Sequence, residues 1–451
     1  MINQISYDEI PGFSRVFHDF IRIFPSFNTL LTLSDKKNNL QQILSELENF
    51  IIDERLMQII ESSLIRKELS AKQRTNIREL KYWQAYVCTA CIKPGFLGGP
   101  VNLLMKTLSV IAFSEMMKTL FPEKVFVPVL WIDDDVHDNF ESSLSYVFNK
   151  DGNIEEFFCQ SNTDKNDRTI VAKRYFNEDV DKIINNVIEK LPENTDILKV
   201  KNLFEQIYQP DKSWSRAFIE LFNKLFKSRG LLFISSNKVR SEGLYNYTTA
   251  FELTHRDKTL NIINQNQKYM EFAGKIIRHK ATPLNLHIHR HNEVFKCEKK
   301  ESVRLTDYSP NVMLKPVFQD YLLPTVFRIT SPSEFVYSKL LKDVYEFYNV
   351  VQPVFVPRYS ATFSDGFTQK FLKDYNSGLH EIIDGYPRLH RMFDYQSQIK
   401  RTVNWLYPNQ QLQERILSLV NILVVSKKRF TGTIINRLQN FEPKNHLLIN
   451  L

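Results

Sequence analysis

One run of about fifty residues narrows the fold more than any other. A β-rich stretch over residues 83–90 leads into Lys93-Pro-Gly-Phe-Leu-Gly-Gly-Pro100. A helical pattern from Val101 to Leu120 follows, then a buried-strand pattern over 125–132, then the cluster Asp133-Asp-Asp-Val-His-Asp138. Strand, glycine-rich turn, helix, strand and polar cluster are, in that order, the parts of a βαβ unit. In such sheets ligands gather outside the carboxyl ends of the strands. The turn and the acidic cluster both fall there, so the active site is expected there.

Glycine is scarce, 12 of 451 residues, so Gly95, Gly98 and Gly99 in one turn stand out. Glycine lets backbone amides approach an anion, and the helix start behind it favours negative charge. A Walker A loop is excluded, because no Gly-Lys-Ser/Thr follows. A plain tight turn explains the same residues. The 133–138 cluster puts four carboxylates and one imidazole at a strand end. It could hold a hard cation, position a base, or be a solvated loop with His137 capping a helix. Cys88 and Cys91 have redox-motif spacing, or are simply buried. His287, His289 and His291 alternate along a strand pattern, with Glu293 next on that face; an exposed polar face explains the row as well as a metal site does. Asn311, Lys315 and Gln319 share one stripe of a helical segment beside Asp320, which suggests a pocket wall; an ordinary solvated helix face explains the stripe as well. Arg358, at a strand end, is an anion-binding candidate or a surface ion-pair partner.

The length calls for two or three domains or one large α/β body. With 34 Phe and 19 Tyr a sizeable core is available, which excludes global disorder. The net charge of +8 is scattered without a dense basic block, so nucleic acid is not an expected partner. Four cysteines do not make a disulfide framework. No apolar run is long enough for a membrane span, and the first ten residues lack a basic-then-apolar leader. A cytoplasmic protein without membrane contact is expected. Further on, a helix over 214–228 stopped by Gly230 and a strand over 231–235 are expected, then helical stretches over 243–280, 311–323 and 334–347 and a strand over 354–357.

Taken together, the motifs resemble the cysteine-adding enzymes of bacillithiol biosynthesis, the BshC-type cysteine ligases. That family carries a pattern close to T-G-Q-Q-x-G-L-F-x-G-P, then a helix with an internal Lys; here Pro94-Gly-Phe-Leu-Gly-Gly-Pro100 and Lys106 match. Its F-W-x-x-x-E-D-H-D segment is similar to Leu130-Trp-Ile-Asp-Asp-Asp-Val-His-Asp138, and its F-S-P-N-V-x-L-R-P-V-x-Q-D block runs through Tyr308 to Thr325. Glu334, Tyr337, Pro357-Arg358 and Ser360-Ala-Thr362 follow, and Tyr407-Pro408 with Leu412-Gln-Glu-Arg415 resembles the closing signature. The T-G-Q-Q stretch stands here as Ala90-Cys-Ile-Lys93, and the segment from 364 to 407 is too short, and broken by Gly385-Tyr-Pro387, for the family's long coiled coil.

The resemblance implies an α/β fold: a Rossmann-like core with a helical N-terminal region, inserted connecting segments and a reduced helical C-terminal region. The expected parts are 1–82, helical and packed on the core; 83–160, the first Rossmann half; 161–213, a connecting insertion; 214–362, the remainder of the core; 363–406, a shortened coiled-coil equivalent; and 407–451, helices returning to the core. It implies condensation of L-cysteine with glucosaminyl-malate, the alternative being a catalytically altered homologue that binds a nucleotide or a thiol or amino-sugar ligand. ATP or ADP, with or without magnesium, is an open cofactor question, and no metal-ligand set is assigned. Under this reading His137, Asp138 and Asp135 serve catalysis. Asn311, Lys315, Gln319, Asp320, Glu334, Tyr337 and Arg358 bind substrate. Gly95, Gly98, Gly99 and Lys106 bind an anion or nucleotide. The oligomer is expected to be a monomer, or a dimer not built on a long coiled coil.

Overall fold

The computed structural model describes residues 34–82, 85–137, 139–150, 154–159, 167–192, 196–272 and 282–359. All lie in one compact unit. The N-terminal helices are α1 (Ser34–Glu46), α2 (Glu54–Ser62) and α3 (Ala71–Tyr82). Next come β1 (Tyr86–Ile92), α4 (Val101–Leu120), β2 (Phe126–Ile132) and α5 (Asn139–Ser143). A hairpin, β3 (Leu144–Phe148) with β4 (Ile154–Phe158), precedes α6 (Val180–Lys190) and α7 (Ile197–Ile207). The chain re-enters the core through α8 (Trp214–Phe226), β5 (Leu232–Ser235), α9 (Ser236–Ser241) and the long α10 (Asn246–Phe272). Strands β6 (Leu286–Arg290), β7 (Glu293–Lys296) and β8 (Tyr308–Pro310) form a small antiparallel sheet. Last come α11 (Lys315–Asp320), β9 (Thr325–Thr330), α12 (Pro332–Ser338), α13 (Lys342–Phe347) and β10 (Val354–Pro357).

The main sheet has five strands in the order β10-β9-β1-β2-β5, and each pairing is parallel. The chain starts at the central β1, builds outward through β2 to β5, then returns to the other side of β1 as β9 and β10. The direction of growth therefore reverses between β1 and β9, and a doubly wound sheet binds ligands at the carboxyl edge of that reversal. A sheet covered on both faces demands continuous apolar strands. β2, β5 and β9 are buried along their whole lengths, including Trp131, Phe233 and Phe327. Helix α4 covers β1 and β2: Ser114 Oγ donates to the Phe126 carbonyl at 2.8 Å, and Phe113 meets Phe327 at 6.0 Å. Among the described residues, no helix is long and apolar enough to cross a membrane.

The βαβ reading holds, with α4 at the expected bounds and β1 displaced towards Ile92. Two expectations are corrected. The three histidines do not line one strand: His291 and Asn292 take positive φ (49° and 71°) and turn the chain between β6 and β7, so only His287 and His289 stay on β6. The segment 311–323 is not one helix. It starts in a turn, and α11 begins only at Lys315, so Asn311 leaves the stripe with Lys315 and Gln319. Instead the Asn311 side chain accepts from the Met313 and Leu314 amides and donates to Asn285 and Thr282, fixing that turn. The expectations for 363–406 and 407–451 lie outside the described residues.

One charged residue is set into the apolar sheet. Arg328 of β9, 3 % exposed, reaches Asp320 of α11 through Nε and Nη2, and Tyr345 Oη donates to the same carboxylate at 2.6 Å. Burial works against the guanidinium, and Asp320 overrides it, keeping Arg328 firmly charged. Removing one member of such a pair leaves an uncompensated buried charge. We expect Asp320→Ala to lose about 3–5 kcal/mol in urea denaturation, and Asp320→Leu with Arg328→Met to lose much less. Equal losses would contradict this account.

Candidate active site at the sheet reversal

After β1 the chain makes a single 3-10 turn, Phe96–Gly98, and enters α4. Leu97, Gly98 and Gly99 all have positive φ (52°, 90° and 69°). A β-carbon on Gly95 would lie 2.6 Å from the Gly99 α-carbon, so the two glycines are what let the loop close on itself. Phe96 anchors the turn edge-on against Tyr208, 5.3 Å between centroids. The first turn of α4 carries no acidic side chain, which keeps its positive end open to an anion.

Two lysine–carboxylate pairs stand at this edge. Lys106, one turn into α4 and 7 % exposed, contacts both Glu334 oxygens at 2.8 and 2.6 Å and donates to the Cys91 carbonyl at 3.0 Å. Glu334 is held from behind, because it closes the capping box of α12 by accepting from the Ser331 amide at 2.6 Å. Burial opposes its charge, and Lys106 outweighs burial, so the carboxyl sits below its usual range. Lys315, at the start of α11, places Nζ 2.7 Å from each oxygen of Asp133, the first residue after β2. Burial opposes its charge too, and Asp133 more than offsets it, so the ammonium is held above its usual value.

Cys91 lies between the pairs. Gln319 Nε2 is 3.5 Å from its sulfur, and the other end of Gln319 accepts from Arg328 at 2.8 Å. Burial, helped by Asp133, pushes the thiol up to about 11, so it is protonated near neutrality despite two nearby lysines. Cys88 is fully buried, and strand geometry places residues three apart on opposite faces. That removes the redox reading of Cys88 and Cys91.

The acidic cluster diverges. Asp133 goes to Lys315. Asp134 accepts from Ser235 Oγ at 2.7 Å and from the Asn237 amide at 3.0 Å. Asp135 takes Arg240 Nε at 3.0 and 2.9 Å and lies 3.4 Å from His289 Nε2. Burial raises Asp134 to about 6 and Asp135 to about 7, the latter against the pull of Arg240. Burial, then Arg240, lowers His289 to about 2, so it is a neutral partner of Ser309. Asp135, expected among the catalytic groups, therefore braces the loop from inside. His137 is exposed on the same loop, and Asp138 lies outside the described residues. No group of three or more His, Cys, Asp or Glu among the described residues could hold a metal.

Of the expected substrate residues, Lys315, Gln319 and Glu334 converge on Cys91. Tyr337 joins them electrostatically; its hydroxyl is raised by burial, then by Glu334 and Cys91. Asp320 is committed to Arg328, and Asn311 to its turn. Arg358 is buried at the end of β10, its amide on the Thr330 carbonyl at 2.8 Å. Cys91, singled out only for its spacing from Cys88, Asp133, singled out only as part of the acidic cluster, and Arg328, not singled out at all, belong to the site or its support. The signal for Arg328 was an arginine inside the apolar run of β9.

The family model described as Bacillithiol biosynthesis BshC, N-terminal Rossmann-like domain, matches residues 1–306 and 300–359. The chain belongs to this family. Among curated relatives named Putative cysteine ligase BshC, that of Chloroherpeton thalassium is 31% identical over 290 residues, 59% of this chain and 51% of the relative. That of Chlorobium phaeobacteroides is 26% identical over 293 residues, covering 60% and 52%. That of Staphylococcus haemolyticus is 26% identical over 358 residues, covering 73% and 65%. The chain thus spans about half the length of the first two. In this BshC-family chain both of these carboxylates at the reversal, Glu334 and Asp133, are engaged by lysines.

A protonated thiol reacts slowly, because only the thiolate is nucleophilic. Peptide-resolved iodoacetamide labelling should find Cys91 slow through pH 9, with the rate climbing towards pH 11. Fast labelling at pH 7.5 would show that burial does not control this thiol.

Proposed function

We propose that the chain joins L-cysteine, through its carboxyl group, to the amine of glucosaminyl-malate; the C–N bond forms as one carboxyl C–O bond breaks, the oxygen leaving as water or, where ATP activates the carboxyl, with the transferred phosphate. The observation that carries this reading is the pair of buried lysine–carboxylate contacts flanking Cys91 at the sheet reversal. Two cations and two anions at one sheet edge suit substrates that bring both signs. A free amino acid carries an ammonium for Asp133 or Glu334. The malate unit carries carboxylates for Lys315 or Lys106, each a charge-assisted contact. Gln319 and Tyr337 orient polar groups beside them. The attacking amine must lose a proton, and His137, exposed on the loop after β2, is the group proposed to take it, with Asp138 next in the chain.

A second reading, an altered homologue that binds a thiol or amino-sugar ligand without turnover, is favoured by one observation. The segment where the resembling pattern has glutamines carries Cys91, held protonated by burial.

The deciding experiment incubates the protein with glucosaminyl-malate and cysteine, with and without ATP and magnesium, and follows the thiol product by mass spectrometry. Product is expected from the unmodified chain. With Lys315→Ala we expect a loss of about tenfold or more, the size of one lost charge-assisted contact. Saturable binding of a substrate with no product in any arm would select the second reading.

A further inference from the structure

A cavity of about 270 Å³ lies between the residues following α2, the end of α7 and the face of α8. Leu64, Ile65, Ile207 and Ile219 make its apolar wall. Lys212, Arg216 and Lys224 lie at its rim with Glu68 and Glu220. Glu220 is shared by two cations, Lys212 Nζ at 2.8 Å and Arg216 Nε at 2.7 Å. Lys224 stands 3.8 Å from Glu68, both partly exposed. Three cations therefore face two carboxylates around a space with apolar sides. Its volume is at the small end for ligand pockets, which suits a compact molecule.

The cavity is also tied to the glycine-rich turn. Arg216, Ile219, Glu220 and Asn223 fall on one stripe of α8 and line the cavity. The opposite stripe carries Leu221 and Phe222, which a β-carbon at Gly98 would approach to 3.3 and 3.7 Å. Along α7, Ile207 lines the cavity and the next residue, Tyr208, packs on Phe96. Two segments thus run from the cavity wall to the turn at the candidate active site.

We propose that this cavity is a second ligand site for a small organic anion, a carboxylate or phosphate on a short carbon skeleton, and that filling it fixes α8 against the glycine-rich turn. The anion meets Arg216, Lys212 and Lys224, and its carbon skeleton lies on the isoleucines. This inference is independent of the ligase reading.

Isothermal titration of the full chain with succinate and, separately, glycerol 3-phosphate tests it, with inorganic phosphate as the third arm. One of the two organic anions should bind saturably at a site that persists in the Lys315→Ala chain, and which one binds there names the head group. Lys224→Glu should weaken that binding about tenfold. Ile65→Trp should abolish it by filling the space; both positions are partly exposed, so both variants should fold, as circular dichroism would verify. Lys315→Ala, at the strand ends, should leave the affinity unchanged. Hydrogen exchange over residues 95–99 should slow when the ligand is bound. No saturable binding, or binding untouched by both cavity variants, would overturn the proposal. So would binding lost with Lys315→Ala alone, which would put the anion at the strand ends. Equal affinity for inorganic phosphate would overturn the part assigned to the apolar wall, and unchanged exchange over 95–99 the coupling to the turn.

Discussion

Two ammonium groups set into the carboxyl edge of a parallel sheet constrain everything around them. A lysine withdrawn from water loses several kcal/mol of solvation, and only a well-placed partner offsets that. Lys106 therefore fixes Glu334, and through the capping box it fixes the start of α12. Lys315 fixes Asp133, and with it the first residue after β2. The four groups come from four connections of the sheet, so no short stretch of sequence holds the site. It exists only when β1, β2 and β9 are side by side.

A second layer supports the first. Gln319 reaches from the Cys91 sulfur to Arg328, and Arg328 is locked by Asp320, which Tyr345 holds in turn. The polar groups near the thiol are thereby joined through one continuous buried network to the apolar core. Low local dielectric strengthens each link and makes each unmatched group costly. Such a network favours one arrangement of α11 against β9 over its neighbours.

The central βαβ unit was legible in the sequence because its strands are buried on both faces and read as unbroken apolar runs. The helix between them begins at a proline and ends before Phe121-Pro122. Lys315 and Gln319 were legible as a polar helical stripe, Lys106 and Glu334 through family resemblance, and the fold brings them together. Other features lay beyond pattern. Period-two alternation in 284–296 cannot distinguish one long strand from a hairpin, and His291 with Asn292 turned out to be the bend. Four carboxylates in six residues suggest a shared centre, yet the backbone sends Asp133, Asp134 and Asp135 to three different donors. Helical spacing of Asn311 with Lys315 failed because asparagine competes for nearby backbone amides and prefers to cap a turn.

The pairing of β1 carries a consequence for how the chain is made. On one side it pairs with β2, which follows within forty residues. On the other it pairs with β9, where Val87 lies opposite Thr325 and Thr89 opposite Arg328. On a ribosome, more than two hundred residues must be added after β1 before that second neighbour exists, roughly 10–50 s at ordinary elongation rates. For that interval the central strand of the sheet presents an open edge, the kind of surface on which nascent chains associate wrongly. The architecture that gathers the four charged groups at one sheet edge therefore makes the newborn protein dependent on protection until β9 has emerged.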